Sequence, residues 1–212
     1  FDKEIKIDPN YDIPWKNKAL AYQNLKNYKK AIECYDKATE INPKDKTTWF
    51  DKGFVHFDLK NYAESIECYD KATEINPKDE NAWHNKGQAY YNLKNYKKAI
   101  ACHDKAIKID AKTENVWMSK GNAHHELKNY KKAITCYDKA TDIDPKDQIA
   151  WYWKGVAYDD LKNYKKAIEC YDKATKLDPK DDYAWRNKGV AYYVLKNYKK
   201  AIECYDKATK LD

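Results

Sequence analysis

Glycine and proline are scarce in this 212-residue chain, five and six residues respectively, which excludes a collagen-like repeat and a flexible low-complexity linker. No run of about eighteen apolar residues occurs, so no segment reads as a transmembrane helix. No basic segment followed by an apolar stretch opens the chain, so no signal peptide is visible. Alternation of apolar and polar residues never persists beyond a few positions, and strands are not predicted. Aliphatic residues are few as well, a shortage that often accompanies disorder. Here the formal net charge is only +7, and 7 Trp with 20 Tyr supply apolar bodies that each bury on the order of 150–250 Å² when packed. The predicted core is therefore aromatic.

What is present is a period. Trp15, Trp49, Trp83, Trp117, Trp151 and Trp185 follow one another at intervals of 34 residues, and Cys34, Cys68, Cys102, Cys136, Cys170 and Cys204 keep the same interval. Such self-similarity marks stacked units that are each too small to bury an apolar face alone. The expected organisation is a remnant at 1–11 and repeats at 12–45, 46–79, 80–113, 114–147, 148–181 and 182–212, the last truncated, in one continuous domain. Within 46–79, Asp45 is placed to cap a helix carrying Trp49, Gly53, His56 and Leu59. Asn61 offers a second cap, and Ser65, Ile66, Tyr69, Ala72, Thr73 and Ile75 recur at helical spacing until Pro77. Each unit reads as two antiparallel helices.

Trp83, Gly87, Tyr90, Ala99, Ala106 and Pro145 occupy the spacing of the tetratricopeptide repeat, a 34-residue helix-turn-helix unit, and the resemblance covers essentially the whole chain. It implies an all-α fold, a right-handed superhelical α-solenoid of antiparallel helix pairs whose first helices line a concave groove. The departures are Lys52, Lys86, Lys120, Lys154 and Lys188 where a leucine usually precedes the glycine, Ala19 for the first glycine, Ser65 for alanine and Ala111 for proline. Ala111 is expected to leave the junction after the third repeat less sharply broken.

Comparison of the six copies divides each first helix into two sides. Trp83, Lys86, Gly87, Tyr90 and Leu93 stand for an arc that barely changes, while the opposite arc changes in every copy. Its residues are the candidate partner-binding set: Lys16, Asn17 and Leu20 in the first copy; Phe50, Asp51, Phe54, Phe57 and Asp58 in the second; His84, Asn85, Gln88 and Tyr91 in the third; Met118, Asn122, His125 and Glu126 in the fourth; Tyr152, Val156, Asp159 and Asp160 in the fifth; Arg186, Asn187, Val190 and Tyr193 in the sixth. Large apolar residues on such a face point to a surface that meets a partner. Lys16 and Arg186 stand against Asp51, Asp58, Glu126, Asp159 and Asp160, so the groove reads as acidic in a basic chain. The Lys-Asn-Arg clamp with which some family members hold a carboxylate is not matched, because Leu20 and Asp51 stand where it would continue. Asn17, Asn85 and Asn187 resemble the asparagine ladder of some arrays, interrupted by Asp51, Ser119 and Trp153.

The cysteines sit on neighbouring copies of one helix, about 10 Å apart, too far to pair, and no Cys-x-x-Cys accompanies them, so no metal is expected. Six unpaired thiols suggest a reducing compartment, and a cytoplasmic location is expected. His56, His103 and His124 replace tyrosine at framework positions and read as packing, whereas His84 and His125 read as partner contacts. Candidate acids and bases recur because the framework recurs, whereas an active site needs one unique constellation, so no catalysis and no cofactor are expected. The Asn-Tyr-Lys-Lys corner at Asn27 and its copies makes a basic ridge, which Glu33 and Asp36 are expected to neutralise within the helix.

The function read from these features is a protein-interaction scaffold that holds a peptide or protein segment, with basic and bulky apolar residues, in an acidic, aromatic-lined groove. The alternative is a structural spacer or array that associates end to end, with nucleic-acid or anionic-surface binding by the ridge a distant third. The match of Phe1, Asp2, Lys3, Ile7 and Pro9 to Tyr35, Asp36, Lys37, Ile41 and Pro43 gives the expectation of a chain that begins mid-repeat and self-associates head to tail.

Overall fold

The computed structural model describes Asp8 and residues 10–211; Phe1, Asp2, Lys3, Ile7 and Pro9, which carry the expected remnant, and Asp212 lie outside the described residues. The described residues form twelve helices and no strand. The pairs are α1 (Asp12–Asn24) with α2 (Tyr28–Ile41), α3 (Lys46–Asp58) with α4 (Tyr62–Ile75) and α5 (Glu80–Asn92) with α6 (Tyr96–Ile109), then α7 (Glu114–Glu126) with α8 (Tyr130–Ile143), α9 (Gln148–Asp160) with α10 (Tyr164–Leu177) and α11 (Asp182–Val194) with α12 (Tyr198–Ala208). Two compact units result, one ending at Ala111 and the other beginning at Lys112. Within each unit every second helix also packs on the first helix of the next pair.

The same three-residue turn joins every pair. After α1, the Lys26 N–H donates to the Gln23 carbonyl and the Asn27 N–H to the Tyr22 carbonyl, both at 2.8 Å, which satisfies carbonyls the helix end would leave open. This closure needs a left-handed residue, and lysine supplies it in all six copies with φ of 56–61°. Glycine would take that conformation freely, whereas a residue with a Cβ is held there at a cost of roughly 1 kcal/mol. The asparagine serves twice: the Asn27 side chain accepts the Lys30 N–H at 3.3 Å and so caps α2. Asn95, Asn163 and Asn197 do the same, while Asn61 and Asn129 hold the position without that bond. Most first helices start on an aspartate: Asp45, Asp79, Asp147 and Asp181 each accept a first-turn N–H.

The expectation for Ala111 is corrected. Helix α6 ends at Ile109 and α7 begins at Glu114, the same interval that separates Ile75 from Glu80. What ends the second helix is the extended backbone of its C-cap residue, φ −137° and ψ 112° at Asp110, and this does not require the proline two residues later.

A close crossing holds each pair together. A Cβ built on Gly155 would lie 2.6 Å from Tyr171 Cε1, and one on Gly121 only 2.5 Å from Tyr137 Cε1. The missing side chain is thus the space that the second helix's ring occupies. Ser65, a departure from the family pattern, donates to the Gly53 carbonyl at 2.9 Å across the same crossing. Between pairs, a stripe of small residues on the first helix is fully buried, Ala82 and Ala89 in α5, Ala150 and Ala157 in α9, and Ala184 and Ala191 in α11. In the second unit Ala150 and Ala157 pack against Ala133, Ile134, Tyr137 and Ala140 of the preceding second helix. The repeated leucines play a smaller part than their regularity implies: Leu25, Leu59, Leu93, Leu161 and Leu195 are exposed C-caps.

The lysine before each glycine is a tie between repeats. Lys52 bonds Asp36 of the preceding helix at 2.6 Å, and Lys86 with Asp70, Lys154 with Asp138 at 2.8 Å and Lys188 with Asp172 at 2.6 Å repeat the link. Each of these ammonium groups also lies 4.4–5.0 Å from the ring centre of its own helix's tryptophan. The tryptophan indole in turn donates at 3.0 Å to a loop carbonyl, Trp49 to Pro43, Trp83 to Pro77, Trp151 to Pro145 and Trp185 to Pro179. Asp36, Asp70, Asp138 and Asp172 are therefore taken up by the next pair and not, as the spacing predicts, by the ridge of their own helix; pairs inside second helices include Lys37–Glu40 and Lys71–Glu74.

A second tie joins the first turn of one first helix to the aspartate cap of the next. Lys46 meets Asp79 at 2.5 Å, and Gln148 donates to Asp181. In α7 the position holds Glu114, whose carboxyl is pushed up to about 7 by burial and by the neighbouring Asp147 carboxylate.

Two outcomes are expected. Gly155→Ala forces the Tyr171 ring aside and lowers stability by about 1–3 kcal/mol, read from the midpoint of denaturant unfolding. For Glu114 the folded value lies above the unfolded 4.5, so its contribution is complete below that pH and is lost as pH rises through about 7. Glu114→Gln, which copies Gln148, removes this loss and stabilises the protein above pH 7 by about 1 kcal/mol after allowance for its partial exposure; unfolding midpoints of both proteins across pH check it.

Candidate functional site

The variable residues of the first helices rest on a floor made by the second helices. In three copies the residue after the tryptophan packs on a ring that reaches through from the partner helix: Phe50 on Tyr69 at 5.6 Å, His84 on His103 at 5.4 Å and Tyr152 on Tyr171 at 6.1 Å between centroids. The residue seven positions further packs on the first tyrosine of the second helix: Phe57 on Tyr62, Tyr91 on Tyr96, His125 on Tyr130 and Tyr193 on Tyr198, all at 5.3–5.4 Å. Sequence reasoning missed this floor. Its signal was present, since these tyrosines recur at every copy, but recurrence also describes plain core.

In the second and sixth copies the residue between those two layers stays exposed. Phe54 is 39% exposed and Val190 41%, and at the following layer Tyr193 is 58% exposed. One candidate is corrected: Met118 is 7% exposed and belongs to the core cluster with Ile134, Tyr137 and Ala150, because the fourth copy has an unbranched thioether where others carry a ring. Leu20 leans on the first unit's core of Ala19, Ala31, Cys34, Tyr35 and Val55, half-buried, and Asn17 is exposed.

In the first unit, Lys16 is occupied by Asp45 at 3.0 Å and Thr47 Oγ1 at 2.6 Å. Asp45 is pushed up by burial, but hydrogen bonds from Thr47, Thr48 and Lys16 outweigh this and hold its carboxyl well below the usual range. Asp51 is half-buried and raised by burial, and Asp58 is exposed. In the third copy Asn85 and Gln88 are half-buried, and burial lowers His84.

In the second unit, Asn122 Oδ1 accepts from the Tyr137 hydroxyl at 2.8 Å, His125 Nε2 meets Asp160 Oδ2 at 2.7 Å, and the His125 ring lies 5.9 Å from Trp153. Asn187 Nδ2 donates to the Tyr152 hydroxyl at 3.0 Å, so this member of the suggested asparagine ladder is committed to a neighbouring first helix. Arg186 lies over Tyr183 at 4.9 Å, Glu126 is exposed, and Val156 is half-buried. Asp159 is half-buried and raised by burial and by Asp160.

Elsewhere on the surface, the second lysine of the corner folds back on a first-helix tyrosine, Lys30 over Tyr22, Lys98 over Tyr90, Lys166 over Tyr158 and Lys200 over Tyr192 at 5.2–5.4 Å. That stacking draws part of the ridge's charge onto the helix pair. Among the described residues no group of three or more His, Cys, Asp or Glu side chains is arranged to hold a metal ion, and no helix is long and apolar enough to cross a membrane. None of the six cysteines is in a disulfide and all are buried, and burial raises the thiols of Cys68 and Cys102 to about 11 and that of Cys170 to about 12.

A family model described as the tetratricopeptide repeat matches residues 13–45, 80–112, 149–181 and 183–212, and a second, described as a TPR repeat, matches 53–94 and 121–161. No curated protein matches the chain. Similar solved structures include the C-terminal part of a TPR repeat-containing protein from Cytophaga hutchinsonii, with a TM-score of 0.85 and 19% identity over 99% of this chain and 87% of that one. MamA from Desulfovibrio magneticus RS-1 is similar with a TM-score of 0.74 and 24% identity, over 79% of this chain and 95% of that one. YrrB, described as a TPR protein with an unusual peptide-binding site, is similar with a TM-score of 0.73 and 24% identity, over 85% of this chain and 93% of that one.

The thiols lead to a direct expectation. A thiol-specific chromogenic reagent modifies the native protein far more slowly than the unfolded protein, because the thiolate is both scarce and covered; rapid release of six equivalents from native protein at neutral pH would contradict this.

Proposed function

The chain belongs to the tetratricopeptide repeat family, and from that premise we propose that its first-helix faces hold a segment of a partner peptide or protein. Its fold is the all-helical solenoid of helix pairs that its solved relatives share, and the family and its peptide-binding member YrrB support a protein-interaction scaffold. The finer reading concerns which chemistry the face prefers.

The observation that carries it is the contrast within one helix. The side that meets other helices repeats almost unchanged, whereas the opposite side changes in every copy and still keeps large rings in the open, with Phe54 and Tyr193 as the clearest cases. In the first unit Phe50, Phe54 and Phe57 offer an apolar anchor site, the central ring accessible and the outer two braced by Tyr69 and Tyr62. Asp51 and Asp58 stand beside it, while Lys16 is already neutralised by Asp45. In the second unit Tyr152, Trp153, Asp159 and Asp160 combine rings with carboxylates. Both faces therefore favour a segment that mixes lysine or arginine with bulky apolar residues over an acidic tail. The corner lysines, already stacked on tyrosines or near carboxylates, offer less to a nucleic acid.

Peptides selected from a random displayed library against the intact chain are the measure. Phe54→Ala is expected to weaken a selected peptide about tenfold at both low and high salt, as loss of an accessible aromatic anchor does. Asp58→Asn is expected to change mainly the salt dependence of binding. Selected peptides that bind Phe54→Ala with unchanged affinity, or a selection dominated by acidic sequences, would show that the face has been misread.

A further inference from the structure

The tyrosine at the middle of every second helix but the third, where His103 stands, is a recurring probe of the groove floor, and its hydroxyl meets a different fate in different copies. In the first repeat the Tyr35 hydroxyl donates to Gln23 Oε1 at 2.8 Å, and in the fourth the Tyr137 hydroxyl donates to Asn122 Oδ1 at 2.8 Å. Both acceptors project from the variable face of the first helix, at the positions held in the fifth repeat by Asp159 and Val156. There the pairing fails. Tyr171 is fully buried, its hydroxyl has no hydrogen-bond partner, and Asp159 Oδ1 is buried without one as well. Asp159 is the charged group that acts most strongly on Tyr171.

The reason lies in side-chain length. Gln23 spans the distance to its tyrosine with two methylenes, while aspartate has one and falls short by about 1.5 Å, one C–C bond. Valine at the other position offers no acceptor. Two unsatisfied buried oxygens are costly, about 1–3 kcal/mol for each group left without a partner, and the surroundings do not relieve them. The nearby Asp160 is held by His125 Nε2 at 2.7 Å, and the Tyr152 hydroxyl by Asn187 at 3.0 Å. In Tyr69 the hydroxyl is also unpartnered, but there Phe54 and Phe57 hold the two positions and no carboxylate stands at either.

Building on the reading of this face as a peptide surface, we propose that Asp159 and the Tyr171 hydroxyl form a subsite for the ε-ammonium group of a partner's lysine. An ammonium carries three donors and no acceptor, so, with the half-buried Asp159 side chain turned aside to admit it, one N–H can go to the Asp159 carboxylate and another to the Tyr171 oxygen, and the negative charge is met at the same time. Tyr152, whose ring lies 6.1 Å from that of Tyr171, and Trp153, in edge contact with Tyr152 at 5.5 Å, offer an aromatic surface to the lysine stem and the cation. Arginine fits less well. Its planar fork wants two carboxylate oxygens side by side, and here one oxygen of the acidic pair is committed to His125. The subsite thus reads a point cation, and neither oxygen has a hydrogen-bond partner among the described residues.

The copies within the chain supply the control. Asp159→Gln places the acceptor of the first repeat opposite Tyr171, so the variant satisfies its own hydroxyl, raises the thermal midpoint by about 2 °C or more, and gives up the cation site. Asp159→Asn removes the charge without the added length. The probe is Nα-acetyl-lysine N-methylamide, titrated into intact protein with the Trp153 indole N–H followed by NMR. Saturable movement of that signal in the millimolar range is expected, at least fivefold weaker for the arginine analogue, and absent for the Nε-acetylated lysine and for both variants. No saturable movement with the lysine probe, equal responses to its Nε-acetylated form, or an unchanged response in Asp159→Gln would overturn the proposal. Because this titration needs no peptide, the two readings fail separately. Selected peptides that depend on Phe54 together with a silent Trp153 would sink the subsite alone. A lysine response with no Phe54-dependent peptide would sink the broader reading and leave the subsite standing.

Discussion

In five of the six pairs a ring pressed against a glycine sets the spacing on which the other features of the pair rest. Because Gly121 and Gly155 have no Cβ, Tyr137 and Tyr171 approach so closely that a methyl group could not be admitted without moving them. At that distance the second helix's aromatic side chain passes beside the first helix and emerges under its far face. The variable residues consequently stand on a surface the framework supplies, and a change of residue there alters what the floor meets without altering how the helices cross. The same tyrosine is content against glutamine in the first repeat and asparagine in the fourth, and unsatisfied against aspartate in the fifth.

Charge is spent in two distinct ways across the chain. Lys52, Lys86, Lys154 and Lys188 join an aspartate of the preceding helix to a tryptophan of their own, so half-covered cations act as fasteners between copies. Such a group combines an ion pair with a ring face, and its reduced contact with water makes it less sensitive to salt than an open pair. The carboxylates on the variable face, Asp51 and Asp159 above all, have no comparable fastener and are raised by their own burial. A basic chain thus keeps acidic places where its rings are accessible.

The helix pairs and their 34-residue period were legible because tryptophan, cysteine and glycine positions repeat whatever surrounds them. What stayed hidden depends on the third dimension. Lysine in the left-handed turn carries no composition signal, since glycine is the usual mark of that conformation. Asp36 has Lys37 and other cations close in sequence, but its helix places it beside Lys52 of the next pair, which no spacing within one helix reveals. Met118 shares its position with Phe50 and Tyr152, and only its flexible length lets it sink into the core while the rings remain half-covered. Leu25 and its copies recur as strictly as the buried positions do, yet regularity at a helix terminus reflects a turn that must always close in the same way.

That turn has a genetic consequence. Leucine, a left-handed lysine and an asparagine form the same backbone joint in all six copies, with the same carbonyls answered each time. An unequal crossover between any two copies of the coding sequence regenerates the same joint at the seam, and the product gains or loses whole helix pairs without creating a loop that has never been folded before. Length can therefore drift in steps of one copy while each surviving pair keeps its own set of outward residues. Recombination reshuffles the order of those residues, much as beads on a string are reordered, and selection acts on the order.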